Sequence, residues 1–226
     1  MIEVVVVGEG LTEETFVRDV LAPPFTSFDV YMQPRPIRTS EHGRGGALSP
    51  DRVLRFLRNT LRERSDTYVT TLFDLYGLRN DFPGIQAASA QRNPLKRCRE
   101  IEKALAEVVI RESGSRKDRF FPHIQPYEFE ALLFSDVSRF GKVRPEWQAS
   151  FDELQRVRED ADSPEHINDG PDTHPSAHLE RLLRPRYIKP LDGSRVAGAI
   201  GISRIREECR HFNQWLVHLE SLKPLR

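Results

Sequence analysis

The chain has 226 residues, of which 30% are charged and 38% hydrophobic, with 34 Lys+Arg set against 34 Asp+Glu. That length buries a substantial core without staples and fits one large unit, or one unit with a carboxyl-terminal addition. Balanced charge gives no sign of a strongly basic nucleic-acid binder, although affinity follows local patches rather than totals. No apolar run approaches the ~20 residues that span a bilayer. The first residues read as a strand without a basic leader or cleavage-like site. A cytoplasmic address with no membrane partner is therefore expected. Cys98 and Cys209 both fall on apolar helical positions and read as reduced core residues, and no Cys-x-x-Cys spacing suggests structural zinc.

Residues 2–7, with four successive valines from Val4 to Val7, predict a buried parallel strand. It runs into Gly8-Glu9-Gly10, after which residues 13–22 predict a helix with Thr12 as N-cap and Pro23-Pro24 as its stop. Phe28 to Ile37 predicts a second strand, placed near an edge by Pro34 and Pro36. A glycine-containing loop from Arg38 to Leu48 follows. Ser49-Pro50-Asp51 then starts a helix, with Val53, Leu54, Phe56, Leu57 and Leu61 at helical spacing. Tyr68 to Phe73 predicts a third strand ending at Asp74, and residues 75–92 an irregular segment. Asn93-Pro94 starts a helix with Leu95, Cys98, Ile101, Leu105 and Val108 on one face. Phe120 to Gln125 predicts a fourth strand, and Glu128 to Phe134 a short helix.

This β-α-β-α-β-α-β-α order predicts an α/β fold, a mainly parallel sheet flanked by helices over residues 1–145. Residues 146–226 read as a helical carboxyl-terminal region packed on it. Within that region, helical pieces at 147–185 are broken by a polar turn from Asn168 to His174. Ser203 to Leu222 forms an amphipathic helix, with Ile205, Cys209, Phe212, Leu216 and Leu219 in one stripe.

Three predicted strands end beside carboxylates: Glu9, Asp74 and Glu128. In a parallel sheet these ends lie on one edge, where open α/β sheets place their ligands. Converging carboxylates repel unless a cation neutralises them, and an oxygen-only donor set without cysteine points to Mg²⁺ or Mn²⁺. Two such ions ~3.5–4 Å apart can hold the attacking and leaving oxygens of a phosphodiester cleavage. The ordinary readings are specific too. Glu13 and Glu14 suit a helix's first turn on dipole grounds alone, and Asp74 suits a turn cap. Either Glu128 or Glu130 suits a solvated helix start, and Asp81 suits a turn. His123, within a strand pattern, suits a packed or hydrogen-bonded role better than a ligand's, while His166, His174 and His178 lack metal spacing. Arg35, Arg38 and Arg44 form a candidate phosphate clamp, against the alternative of simple solvation. No Walker A sequence is present.

The motifs GEGLTEE, DLYGLRNDFPG, HIQPYEFEALLFSD and VAGAIGISRIREECRHFNQWLVHL, in that order, resemble a bacterial family of unknown function in the Toprim-like group. The resemblance spans nearly the whole chain. It implies kinship with the Toprim domains of topoisomerases, primases, small repair nucleases and overcoming-lysogenisation-defect nucleases. It also implies a glutamate after the first strand, matched by Glu9, and an Asp-x-Asp pair after the third. Asp74 matches the first aspartate, but Tyr76 stands in the second position, so Glu128, Asp81 or Glu13 must supply that oxygen. Relatives of this kind often act with an ABC-type ATPase in phage defence.

The reading is therefore a Mg²⁺- or Mn²⁺-dependent endonuclease acting on DNA or RNA. Glu9, Glu13, Asp74 and Glu128 bind metal, Glu9 and Asp74 are catalytic, and Arg38 and Arg44 hold phosphate. The alternatives are a non-catalytic Toprim-like subunit that binds a partner ATPase, and a phosphatase with Asp74 as nucleophile.

Overall fold

The computed structural model describes residues 1–37, 49–167, 170 and 172–225. Its centre is β1 (Ile2–Gly8), whose valines split between two cores. Val4 and Val6 enter one hydrophobic cluster, Val5 and Val7 the other, as the two-residue period of a strand requires. β1 pairs in parallel with the edge strand β2 (Val30–Pro36) on one side and with β3 (Thr67–Asp74) on the other. Two short strands, β4 (Phe120–Phe121) and β5 (Ile124–Gln125), continue in parallel along β3. Together they occupy the single strand expected over Phe120–Gln125. Pro122 falls in the break, where its missing N–H cannot join a ladder. The strand order is β2-β1-β3-β4, giving a parallel α/β sheet.

One face is covered by α3 (Pro50–Glu63), the one-turn α4 (Ile85–Ala88) and α5 (Pro94–Ser113), numbered after two helices on the opposite face. Val53, Leu57 and Leu61 join Cys98, Ile101, Leu105 and Val109 against Val5, Val7, Val69 and Phe73. Each such side chain contributes ~1.5–3 kcal/mol by leaving water.

The opposite face begins with α1 (Leu11–Phe16), which passes through a π turn at Val17–Leu21 into α2 (Ala22–Phe25). Pro23 and Pro24 therefore do not stop the helix as expected. They sit within a continuous helical run, directly after the π turn that absorbs their missing N–H groups, and the run ends at Asp29 with φ 58°. The short helix expected over Glu128–Phe134 is a 3₁₀ segment, Phe129–Ser135. α6 (Phe140–Val143), α7 (Phe151–Glu159), α8 (Pro175–Leu182), α9 (Lys189–Ile200), α10 (Ile202–Glu208) and α11 (Arg210–Glu220) follow. Their apolar residues share one core with Val4, Val6, Tyr68 and Leu72, so the carboxyl-terminal helices form the sheet's second layer.

The single helix expected over Ser203–Leu222 is two, separated at the extended residue Cys209. The buried Glu165 carboxylate stabilises the new start by accepting the His211 and Phe212 N–H groups at 2.8 and 2.9 Å. Cys98 and Cys209 are both free and buried, in different cores. Among the described residues, no helix is long and apolar enough to cross a membrane.

Candidate functional site

The chain leaves β1 for β2 on one side and returns through α3 to β3 on the other. The connections after β1 and β3 therefore diverge, opening a crevice between the carboxyl ends of these adjacent strands. Parallel sheets hold their ligands at such switch points.

Glu9 and Asp74 meet there. Glu9 Oε1 accepts the Asp74 N–H at 2.7 Å. This approach depends on Gly77, where a Cβ would lie 3.0 Å from Glu9 Oε2. Glu13 comes from the first turn of α1 and is 4% exposed; its Oε2 accepts the Gly10 N–H at 2.9 Å. Glycine is required at position 8 as well, because a Cβ there would meet Glu13 Cβ at 2.7 Å. Asp74 ends β3. Its Oδ1 accepts the Phe129 N–H at 2.8 Å, and its Oδ2 lies 3.1 Å from Lys189 Nζ.

Neither Glu128 nor Glu130 is solvated: both are buried. Glu130 takes the Tyr187 hydroxyl on Oε1 at 3.0 Å, and its Oε2 is ion-paired with Lys189 at 2.9 Å. Glu128 is turned toward the start of α8. Its Oε2 accepts the Ser176 N–H at 2.9 Å and lies 3.1 Å from His174 Nδ1, while Oε1 accepts the Ser176 hydroxyl at 3.1 Å.

Burial and mutual repulsion dominate the electrostatics. Glu9 is pushed well above the usual carboxylate range by burial first, then by Asp74 and Glu13. Burial also raises Glu13, with Asp74 adding to it. Asp74 rises through burial, which Lys189 opposes. Glu130 rises through burial to about 7 against the same opposition. Burial works to lower the Lys189 ammonium, but Asp74, Glu130 and Glu13 outweigh it and hold the group well above its ordinary value. The crevice thus gathers carboxylates around the Lys189 ammonium.

Tyr76, in the place of a second aspartate, is half exposed and stacks on His174 with ring centroids 5.1 Å apart. Asp81 is an exposed turn residue paired with Arg79 at 3.2 Å. Beside His174 a cavity of about 640 Å³ is lined by Arg181, Arg184 and Arg186, all exposed. Arg35 is paired with Glu63 at 2.6 Å. Arg38 and Arg44 lie outside the described residues.

Lys189 and the three arginines escaped the sequence reading, because single cations among 34 carry no pattern. The signal for Lys189 was Pro190, which marks the start of α9. Among the described residues, the group whose metal-ligating atoms all lie within 4.8 Å of one another is not the acidic one. It is Glu102, His123 and His211, a set that could hold an ion of unspecified identity.

No curated protein and no solved structure matches this chain. A model of the family described as a domain of unknown function, DUF4276, matches residues 8–220, nearly the full length, and the chain belongs to that family.

Proposed function

We propose that this chain is a Mg²⁺- or Mn²⁺-dependent nuclease of the Toprim-like kind, acting on DNA or RNA phosphodiesters. The observation that carries the reading is the bond between Glu9 Oε1 and the Asp74 N–H at 2.7 Å, which joins the acidic ends of β1 and β3 at the switch point. The donor set fits a hard cation. It is all oxygen and largely buried, and its charge is already partly balanced by an ammonium bridging Asp74 and Glu130. Glu9, Glu13 and Asp74 would hold the ion, with Glu128 or Glu130 in place of the second aspartate. The chemistry it supplies when bound is stabilisation of charge developing on phosphoryl oxygens.

The chain's own residues do the rest. As an alternative to ligating the ion, Glu9, which burial raises well above the usual carboxylate range, would serve as general acid or base. Lys189 offers a positive charge at the crevice, and Arg181, Arg184 and Arg186 give a phosphate backbone a path past His174. Arg38 and Arg44 would steady the scissile phosphate.

The test is cleavage of plasmid, single-stranded DNA and RNA by purified protein with Mn²⁺ or Mg²⁺. Glu9→Gln and Asp74→Asn should each lower the rate by ~10²-fold or more. Unchanged activity in both rejects the assignment.

One observation favours a second reading, a non-catalytic Toprim-like subunit that docks on an ABC-type ATPase, as in phage-defence pairs. Lys189 already stands between two of the carboxylates, as an intramolecular cation would. Lys189→Met separates the two. On the nuclease reading it retains Mn²⁺ binding and loses cleavage. On the docking reading wild type shows neither, yet forms a stable complex with the ATPase.

A further inference from the structure

A separate cluster lies along the β4–β5 edge of the sheet, where that edge meets the last helix. Glu102 projects from α5, His123 from the break between β4 and β5, and His211 from the first turn of α11. We propose that Glu102, His123 and His211 form a metal site for a zinc-class transition ion, one that pins α11 to the sheet edge.

The distances suit such an ion. Glu102 Oε1 lies 2.8 Å from His211 Nε2 and 3.8 Å from His123 Nδ1. Donors bound ~2.0–2.1 Å from a tetrahedral zinc are ~3.3 Å apart, so movements of ~0.5 Å bring both pairs to ligand spacing. Two imidazoles and one carboxylate are a recurrent zinc donor set, and His-rich sites follow the Irving–Williams preference for such ions over Mg²⁺.

The surroundings orient the donors. Gln125 Oε1, 3.3 Å from His123 Nε2, accepts that N–H and leaves the ring's lone pair on Nδ1, the atom facing Glu102. The His123 ring is clamped between His211 at 5.0 Å and Trp215 at 4.7 Å, and the Ile124 N–H fixes Glu102 Oε1 at 2.8 Å. These contacts resemble the outer shell that aims metal ligands. The buried His211 ring has no hydrogen-bond partner on Nδ1, so moving its proton there frees Nε2 at the cost of one hydrogen bond, that to Glu102 Oε1, which the shared ion replaces. A cavity of about 190 Å³, bounded by Arg99, Phe121, Gln214 and His218, adjoins all three donors and leaves room for a fourth ligand.

This site uses none of the residues assigned to the acidic crevice, so it stands or falls separately. The experiment titrates the metal-free full chain with Co²⁺, followed by Zn²⁺ displacement. The expected result is one tight Co²⁺ per chain with the intense visible bands of a four-coordinate ion and no sulfur charge-transfer band, told apart from any Co²⁺ in the acidic crevice by the faint bands of an all-oxygen six-coordinate ion. His211→Gln and His123→Gln should weaken binding at least ~100-fold, while Glu9→Gln and Asp74→Asn leave it within ~2-fold.

Both histidines are buried, so the test does not rest on these variants folding. Wild-type Co²⁺ protein then carries the test by NMR, where hyperfine-shifted ring N–H signals from two histidines are expected. No saturable binding, a cysteine band, unshifted histidines or equal affinity in folded variants would each overturn the proposal. Those outcomes leave a plain hydrogen bond between His211 and Glu102.

Discussion

Adding one methyl group at Gly77 should disable the acidic crevice without removing a charge. An alanine Cβ there would lie 3.0 Å from Glu9 Oε2, 3.3 Å from Oε1 and 3.5 Å from Cδ. Ordinary contact begins near ~3.4 Å, so the carboxylate has to retreat by about 0.4 Å. Glu9 Oε1 is held 2.7 Å from Asp74 N, and this bond stretches or the side chain changes rotamer.

The folding cost is small. A hydrogen bond to a charged group is worth ~1.5–3 kcal/mol, but the partly exposed Glu9 recovers much of that from water. Alanine also removes ~0.4–1 kcal/mol of unfolded-state freedom at a site needing no left-handed backbone. Metal ligation is less forgiving, since ligand distances hold to ~0.2 Å. Gly77→Ala should therefore melt within a few degrees of wild type, yet bind Mn²⁺ ~10–100-fold more weakly by calorimetry and lose cleavage in proportion. Gly198→Ala is the control, because its Cβ would meet Val20 at 3.6 Å, an ordinary contact. A Gly77→Ala protein with Mn²⁺ affinity within ~2-fold of wild type would refute Glu9 as a ligand.

Stability should fall as pH rises through the range set by Glu130. Its folded-state value of about 7 exceeds the ordinary 4.5, so between these the native state keeps a proton that the unfolded chain has released. That gap, at ~1.4 kcal/mol per pH unit, amounts to on the order of 3 kcal/mol of stability present near pH 4 and lost by pH 8. Urea denaturation of Glu130→Gln should show a flatter pH profile; identical profiles would count against the assignment. Glu165→Ala deprives two buried N–H groups at the start of α11 of their acceptor. A loss of ~2–4 kcal/mol is expected by chemical denaturation, with Glu165→Gln retaining part of it. A loss under ~0.5 kcal/mol would mean that water replaces the cap.

The sheet was readable because its signals are local. Val4–Val7 announced a strand buried on both faces, and the prolines of β2 marked an edge. Features set by tertiary contact were not readable. The break at Cys209 needs Glu165, distant in sequence, to cap the new helix. Helix α1 runs on toward Pro23 because a π turn absorbs the mismatch, which no periodicity announces. At the site, strand ends predicted which carboxylates approach one another, and Glu9 does touch the end of β3. They did not predict where Glu128 would point. Ser176 and His174 draw it toward α8; His174 ends the segment that read as a turn, and Ser176 lies just beyond it.

The crevice cannot take an anionic substrate by itself. Fully ionised, Glu9, Glu13, Asp74, Glu128 and Glu130 against Lys189 would carry four net negative charges, in a setting where burial strengthens every repulsion. The raised values of Glu9, Glu13, Asp74 and Glu130 are the protein's partial answer, relief by protonation beside that given by Lys189. A divalent cation offers a second relief: one halves the net negative charge and a pair cancels it, so the repulsion that a phosphate meets falls with each ion bound. On the nuclease reading, metal and nucleic acid then favour each other's binding, and by linkage each raises the other's affinity by the same factor. A protein that bound nucleic acid equally well with and without Mn²⁺ would be using the arginines beside His174 rather than the crevice.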